Sequence, residues 1–540
     1  MLVCQRKLVT PYDQLVPNEW ITELFGDILP PRLGSGRNTT WTFGNRTITM
    51  SDSEAELASI TEGVSSLNAK IEESTLESSP SVSGLISGRT TPAALLALPD
   101  ELLVEIFSYG SSGPDDYSDV NAIAPNERRA RSPFQRAAVS RQWRTAALSA
   151  SPLWHYLLIP QTSIWSNHDT GKRMVLEYTE LVLERSRSFP IDIAFQFIQS
   201  SPAVARAISP IFEALRRNQQ RWRRFLARIH GRRAVNGVLR CLAGPTPQLR
   251  TVQIVQQASV DAWGFVSATN EYLWQNDDLQ DDVDELVDPQ VLTDAPALGW
   301  LSIVNLPDLP GCIKLSAASD IYSIEFICGT WGPSFWPLLR ISNNVRRLMF
   351  GSVSGLPAPE EPILMPKLRR IWLLEGGARV LAEQPDLLLL PELRTISMVY
   401  GSFAGLEGFF TGVGNVLRYI DLQLVEGLAE IDIEVLASLP RINQLRLTET
   451  AFPEAWLERL CQTTAIMWPK LDWMTLDLCK IEEVQNGRLV ELARMRGGVE
   501  ATSDGRTWTP SICIRLGSGC NVPDEQIEQI AQLCTRFVRF

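Results

Sequence analysis

A short apolar kernel recurs through the second half of the chain and limits what that half can fold into. An apolar residue is followed by another three positions on and a third two further. The copies are Leu249/Val252/Ile254, Leu298/Leu301/Ile303, Ile321/Ile324/Phe326, Val345/Leu348/Phe350, Leu368/Ile371/Leu373, Leu393/Ile396/Met398, Leu417/Ile420/Leu422, Ile442/Leu445/Leu447 and Leu471/Met474/Leu476. Their first members lie 49, 23, 24, 23, 25, 24, 25 and 29 residues apart. The alternating pair describes a short strand with one buried face. One strand cannot bury that face alone, so successive copies are expected to stack into a parallel sheet over a continuous core. The gap of 49 reads as two periods, with one unit obscured near Tyr272–Trp274. Pro247, Pro296, Pro366, Pro391, Pro440 and Pro469 precede their kernels, where proline forfeits no ladder hydrogen bond.

This period and this LxxLxL kernel resemble a leucine-rich repeat. The resemblance implies an irregular solenoid over residues 246–520. The Asn or Cys of the standard pattern, eight positions after the first Leu, is replaced by Gly376, Gly401, Val425 and Thr450, and only Cys479 fits. The side-chain ladder that satisfies the turns is therefore expected to be missing. Ser511–Leu516 alternates and is expected to close the sheet, and 521–540 reads as a capping helix with Ile527, Ile530, Ala531 and Cys534 on one face.

Upstream, Leu98, Leu102 and Ile106 lie four apart beside Leu103 and Phe107, which makes one broad apolar helix face. Asp100 and Glu101 suit the positive end of that helix. A polar loop follows from Gly110 to about Ser132. Then Val139, Trp143, Ala146 and Ala150 run along a second helical face, Pro152 marks its stop, and Leu153, Trp154 and Leu157 begin another apolar piece. So much apolar surface on about sixty residues is expected to lean on a neighbour or a partner.

The order Leu-Pro-x-Glu-Leu-Leu-x-x-Ile-Phe, then Val-Ser-Arg-x-Trp, then Leu-Trp, resembles the F-box family, and with the repeats the divergent fungal F-box proteins. The resemblance implies that 93–160 docks onto a Skp-type adaptor and through it onto cullin and RING subunits of a ubiquitin ligase. The implied adaptor-binding residues are Leu98, Pro99, Leu102, Ile106, Val139, Trp143, Leu153 and Trp154. Ser140 stands where the family often has Cys, and the 110–132 loop is longer than usual.

The remaining organisation is read from composition and period. Residues 1–53 lack a clear period, 54–73 carry a short heptad stripe (Leu57, Ile60, Val64, Leu67, Ile71), and 74–92 are a Ser/Gly/Thr/Pro linker. Residues 161–245 are expected to be a helical connector with one early strand at Phe189–Phe195, which opens the sheet. Within it Arg216–Arg233 is basic, with Trp222 and Phe225 embedded. It reads as an amphipathic helix with Leu215, Trp222, Phe225 and Ile229 inward, or as a site for nucleic acid or an acidic partner. The fold class is thus α plus α/β: a small helical unit followed by a repeat solenoid with a parallel sheet.

The function classes narrow accordingly. A net charge of −12 opposes general nucleic-acid binding. Nine dispersed cysteines with no CxxC pair fit a reducing compartment, and no apolar run approaches a membrane span, so a cytoplasmic or nuclear protein is expected. No catalytic, metal or cofactor motif stands out: His155, His168 and His230 fit no HExxH, and Gly171-Lys172 no P-loop. The acidic run Asp277–Asp288 reads as a solvated loop, or as a segment that answers the basic run across the molecule. The expectation is a non-catalytic adaptor whose repeat surface binds a client, with a repeat scaffold without a ligase as the alternative.

Overall fold

The computed structural model describes residues 98–111, 126–160, 169–198, 202–229, 232–256, 290–304 and, with short breaks, 313–496 and 512–539. The heptad stripe 54–73, the linker 74–92, the Tyr272–Trp274 region and the acidic run Asp277–Asp288 lie outside these residues. The chain divides into two compact units between Ala214 and Leu215. Among the described residues no helix is long and apolar enough to cross a membrane.

The described part of the first unit starts with three helices, α1 (Asp100–Ser111), α2 (Glu127–Val139) and α3 (Arg141–Ser149). The polar loop is shorter than expected, because α2 starts at Glu127, where the Asn126 side chain accepts from the Arg129 amide. The single long helix expected through Val139 and Trp143 is broken at Ser140. Its hydroxyl accepts from the Trp143 amide and caps α3, the usual work of serine at a helix start. A 3-10 turn, Ser151–Trp154, leads into β1 (Tyr156–Ile159), which pairs in parallel with β2 (Ile191–Ile198) across α4 (Asp169–Arg185). Phe189–Phe195 does form a strand, but β1 precedes it, so it does not open the pairing. Helix α5 (Pro202–Arg216) follows.

The second unit is a parallel sheet in chain order. Its strands are β3 (Trp222–Ile229), β4 (Thr251–Gln256), β5 (Trp300–Val304), β6 (Ser323–Ile327), β7 (Arg347–Phe350), β8 (Arg370–Leu374), β9 (Thr395–Val399), β10 (Tyr419–Gln423), β11 (Gln444–Thr448), β12 (Trp473–Asp477), β13 (Cys513–Leu516) and β14 (Arg536–Arg539). Helices α6 (Arg232–Leu242) to α13 (Asp524–Leu533) serve as crossovers where they occur. Every kernel residue named above is buried, none more than 2% exposed, and each kernel's second and third members lie on one strand in register with the next. The prolines sit in turns. Leu249, Leu298, Leu368, Leu393 and Leu471 each donate an amide to the carbonyl three residues back, with proline next to that carbonyl, where its fixed φ suits a β-turn.

Four expectations need correction. Strand β4 pairs directly with β5, so the 49-residue gap contributes no strand between them. The basic run is not one amphipathic helix. It ends α5, turns, and becomes β3, with Trp222, Phe225, Ala227 and Ile229 buried and arginines between them half-buried. Strand β13 does not close the sheet. The capping helix stops at Leu533 and the chain adds β14, whose exposed Arg536 and Arg539 suit an edge that must not recruit another chain. On α13, Ile527 and Ile530 are buried but Ala531 is exposed.

The turn ladder is present at the C-terminal end, in hydroxyl and thiol form. Thr450 Oγ1 donates toward Leu422 O and Thr448 O and accepts from the Val425 amide. Cys479 Sγ donates to Leu447 O at 3.4 Å, and Cys520 Sγ to Leu476 O at 3.3 Å. These contacts hold turns in which Leu424, Glu449 and Leu478 adopt left-handed φ values of 52°, 49° and 52°, a cost for non-glycine residues. Cys479 and Cys520 sit side by side as coupled thiols, which pulls the Cys520 pKa down to about 7 and pushes Cys479 up. Alkylation followed by peptide mapping is expected to find Cys520 reacting with a midpoint near neutral pH. A midpoint at the ordinary thiol value of about 8.5 would remove this coupling.

Candidate docking surface

The apolar residues of α1 divide into two stripes. Leu103 and Phe107 point inward and are 1% and 2% exposed. Phe107 packs on Trp143 with ring centroids 4.8 Å apart, and the Arg136 guanidinium lies over its outer side at 5.3 Å while donating to Phe107 O. The other stripe faces out. Leu102 is 46% exposed, Pro99 and Tyr109 are exposed, and Leu98 and Ile106 are half-buried. Val139, at the end of α2, is 59% exposed.

The framework holding this stripe is specific. Gln142 Nε2, on α3, donates to Leu98 O at 2.7 Å and to Asp100 Oδ1 at 3.1 Å, which pins the Leu-Pro start against α3. The Leu103 amide donates to Pro99 O, closing the first turn of α1. The outward residues are thus set on a fixed surface.

Five of the eight implied adaptor contacts, Leu98, Pro99, Leu102, Ile106 and Val139, reach solvent at least in part. Trp143, Leu153 and Trp154 do not; they are packed into the unit's core. They are 6%, 2% and 1% exposed. Trp154 stacks edge-on with Phe134 at 5.0 Å and donates its indole N–H to Ala147 O at 2.8 Å. Large apolar side chains on the inner side of so small a unit are consumed by its core.

The second unit also carries a row of arginines beside the kernel positions. The residue just before each of four successive strands is an exposed arginine: Arg346, Arg369, Arg394 and Arg418. Main-chain bonds stack them, the Arg369 amide donating to Arg346 O, Arg394 to Arg369 O, and Arg418 to Arg394 O. The signal was legible as arginine directly after the first kernel residue, in Val345-Arg346, Leu368-Arg369, Leu393-Arg394 and Leu417-Arg418. By contrast, the aromatic residues of the basic run 216–233 are unavailable to nucleic acid, since Trp222 and Phe225 are both 0% exposed. No three potential ligand side chains gather as a metal site among the described residues. No protein-family model matches the chain, and no curated protein matches it.

Proposed function

We propose that this chain is a non-catalytic substrate-recognition subunit of an SCF-type ubiquitin ligase, acting in the cytoplasm or nucleus. The α1–α3 unit is read as an F-box that docks a Skp-type adaptor, and the parallel sheet as a leucine-rich-repeat-like solenoid that presents a client. The observation that carries this reading is the outward stripe Leu98, Leu102 and Ile106, joined by Val139, on a helical unit whose inner stripe is already packed. An ordered apolar stripe left in water favours a partner. The chemistry would belong to the other subunits, since proximity alone raises the effective concentration of client lysines at the conjugating enzyme.

Pull-down of the full chain with a Skp adaptor tests the docking. The unchanged protein is expected to capture it, and Leu102→Asp with Ile106→Asp is expected to lose it. Val139→Asp serves as the independent variant, because that side chain is 59% exposed and its loss leaves the core untouched. Capture that survives both variants would overturn the assignment. A chain that binds a client but brings down no cullin is the repeat scaffold instead.

A further inference from the structure

We propose that the arginine ladder Arg346–Arg369–Arg394–Arg418 is an anion-recognition strip that takes an acidic segment of a client polypeptide. Neighbouring strands lie about 4.8 Å apart, so the four rungs cover about 14 Å, the reach of four or five extended residues. Like charges stacked on adjacent strands repel one another, a cost that an anionic ligand would relieve. Among the described residues, Arg346, Arg394 and Arg418 have no ion-pair partner. Arg369 meets Glu392 at 3.3 Å, with both side chains about half exposed, a contact weak enough to exchange for a ligand carboxylate.

A second pair of arginines lies one residue further along the first two of these strands. Arg347 and Arg370 are direct register partners on β7 and β8, and the Arg370 guanidinium lies 5.0 Å over the Trp372 ring. Burial, and then the neighbouring Arg347, lower the Arg370 pKa against the opposing pull of Tyr419 and Asp421. In a chain of net charge −12, six arginines on or directly before four adjacent strands concentrate positive charge, with Glu325 beside Arg347 and Asp421 beside Arg370 as the buried acids among them. Arginine forks hold carboxylates in two-point contacts that lysine cannot make.

The turns leading into the first two rungs also build a groove of about 500 Å³. Asn343 and Asn344 precede Arg346, and Pro366 and Lys367 precede Arg369. The groove's wall includes Leu364, which is 54% exposed. Arg340 and Glu361 also line the groove and pair at 3.7 Å, so its Asn and Lys donors beside exposed Leu364 suit a peptide carrying an apolar residue next to acids. A nucleic acid offers no such side chain. The proposal rests on reading this unit as the client-binding half of an adaptor. Peptide binding is measured without any ligase subunit, so its failure and the failure of adaptor docking read out separately.

The test is fluorescence anisotropy on the full chain with three labelled probes: a short Asp/Glu-rich peptide containing one leucine, its Asn/Gln counterpart, and a short RNA. The acidic peptide alone is expected to bind, more weakly as salt rises. Arg394→Gln with Arg418→Gln is expected to weaken it roughly tenfold or more. Arg128→Gln with Arg494→Gln removes the same charge from exposed helical positions elsewhere and is expected to leave binding unchanged. Equal binding of the neutral peptide, equal loss in the control pair, or ladder-dependent RNA binding tighter than the peptide would each overturn the proposal.

Discussion

Replacing Arg129 by alanine is expected to destabilise the first unit by about 3–5 kcal/mol, the usual result of stripping one partner from a buried ion pair. Asp192 is 1% exposed and meets Arg129 Nη2 at 3.3 Å. The same guanidinium contacts His155 Nε2 and lies 4.8 Å over the Tyr156 ring, whose hydroxyl accepts from the Asn126 amide at 2.9 Å. One side chain therefore ties α2 to β1 and β2. Without it, the buried Asp192 carboxylate loses this cation. Asp192→Asn in the same background removes the stranded charge and is expected to recover part of the loss. Denaturant unfolding of the single and double variants measures both effects. A single variant within about 1 kcal/mol of the parent would mean that water reaches Asp192 and that the pair is a surface contact.

Much of the sheet was legible because its core obeys a rule that single residues carry. The LxxLxL kernel demands burial at fixed positions, and from Leu249 to Leu476 those positions are filled by side chains with no polar alternative. The front of the sheet escaped notice for a physical reason. Trp222, Phe225 and Ile229 are spaced three and four apart, which fits a helix, while Trp222, Phe225 and Ala227 carry the kernel spacing. Arginine can occupy half-buried strand positions by extending its stem along apolar surface and keeping its charge in water, so a basic run does not exclude a strand. The pairing of β4 with β5 was hidden by period arithmetic. A long insertion is cheap in loop entropy and need not add a repeat.

The docking surface was legible as a set of residues but not as a surface. Leu98, Leu102 and Ile106 alternate with Leu103 and Phe107 around one helix, and nothing in the spacing says which stripe the rest of the unit covers. Size favours covering the tryptophans, and Trp143 and Trp154 are indeed buried. The break at Ser140 separates exposed Val139 from buried Trp143, although they are four residues apart. Serine before a helical run is a start signal. In a longer apolar pattern it is easily passed over as an interior residue.

Glu325→Gln is expected to stabilise the protein by about 3 kcal/mol at alkaline pH and by almost nothing in acid. Glu325 lies on β6 with its carboxyl 8% exposed as a residue, facing Ser302 and Trp300 on β5. Burial raises its pKa from 4.5 to about 7, against the opposing pull of those two donors and Arg347. The sign follows directly. A carboxyl whose folded pKa lies above its unfolded value favours folding while protonated. Its contribution is whole below pH 4.5 and is lost as pH rises through about 7. Glutamine keeps the neutral shape and never ionises, so the gap between variant and parent should open across that window and then level off. Asp421 and Asp472 are also pushed up by burial, so the parent's own pH profile mixes several groups. The difference between the two chains isolates Glu325. Thermal melts of both proteins across the pH range supply it, and a difference that stays constant from acid to alkaline pH would show that the Glu325 carboxyl is solvated rather than buried against β5.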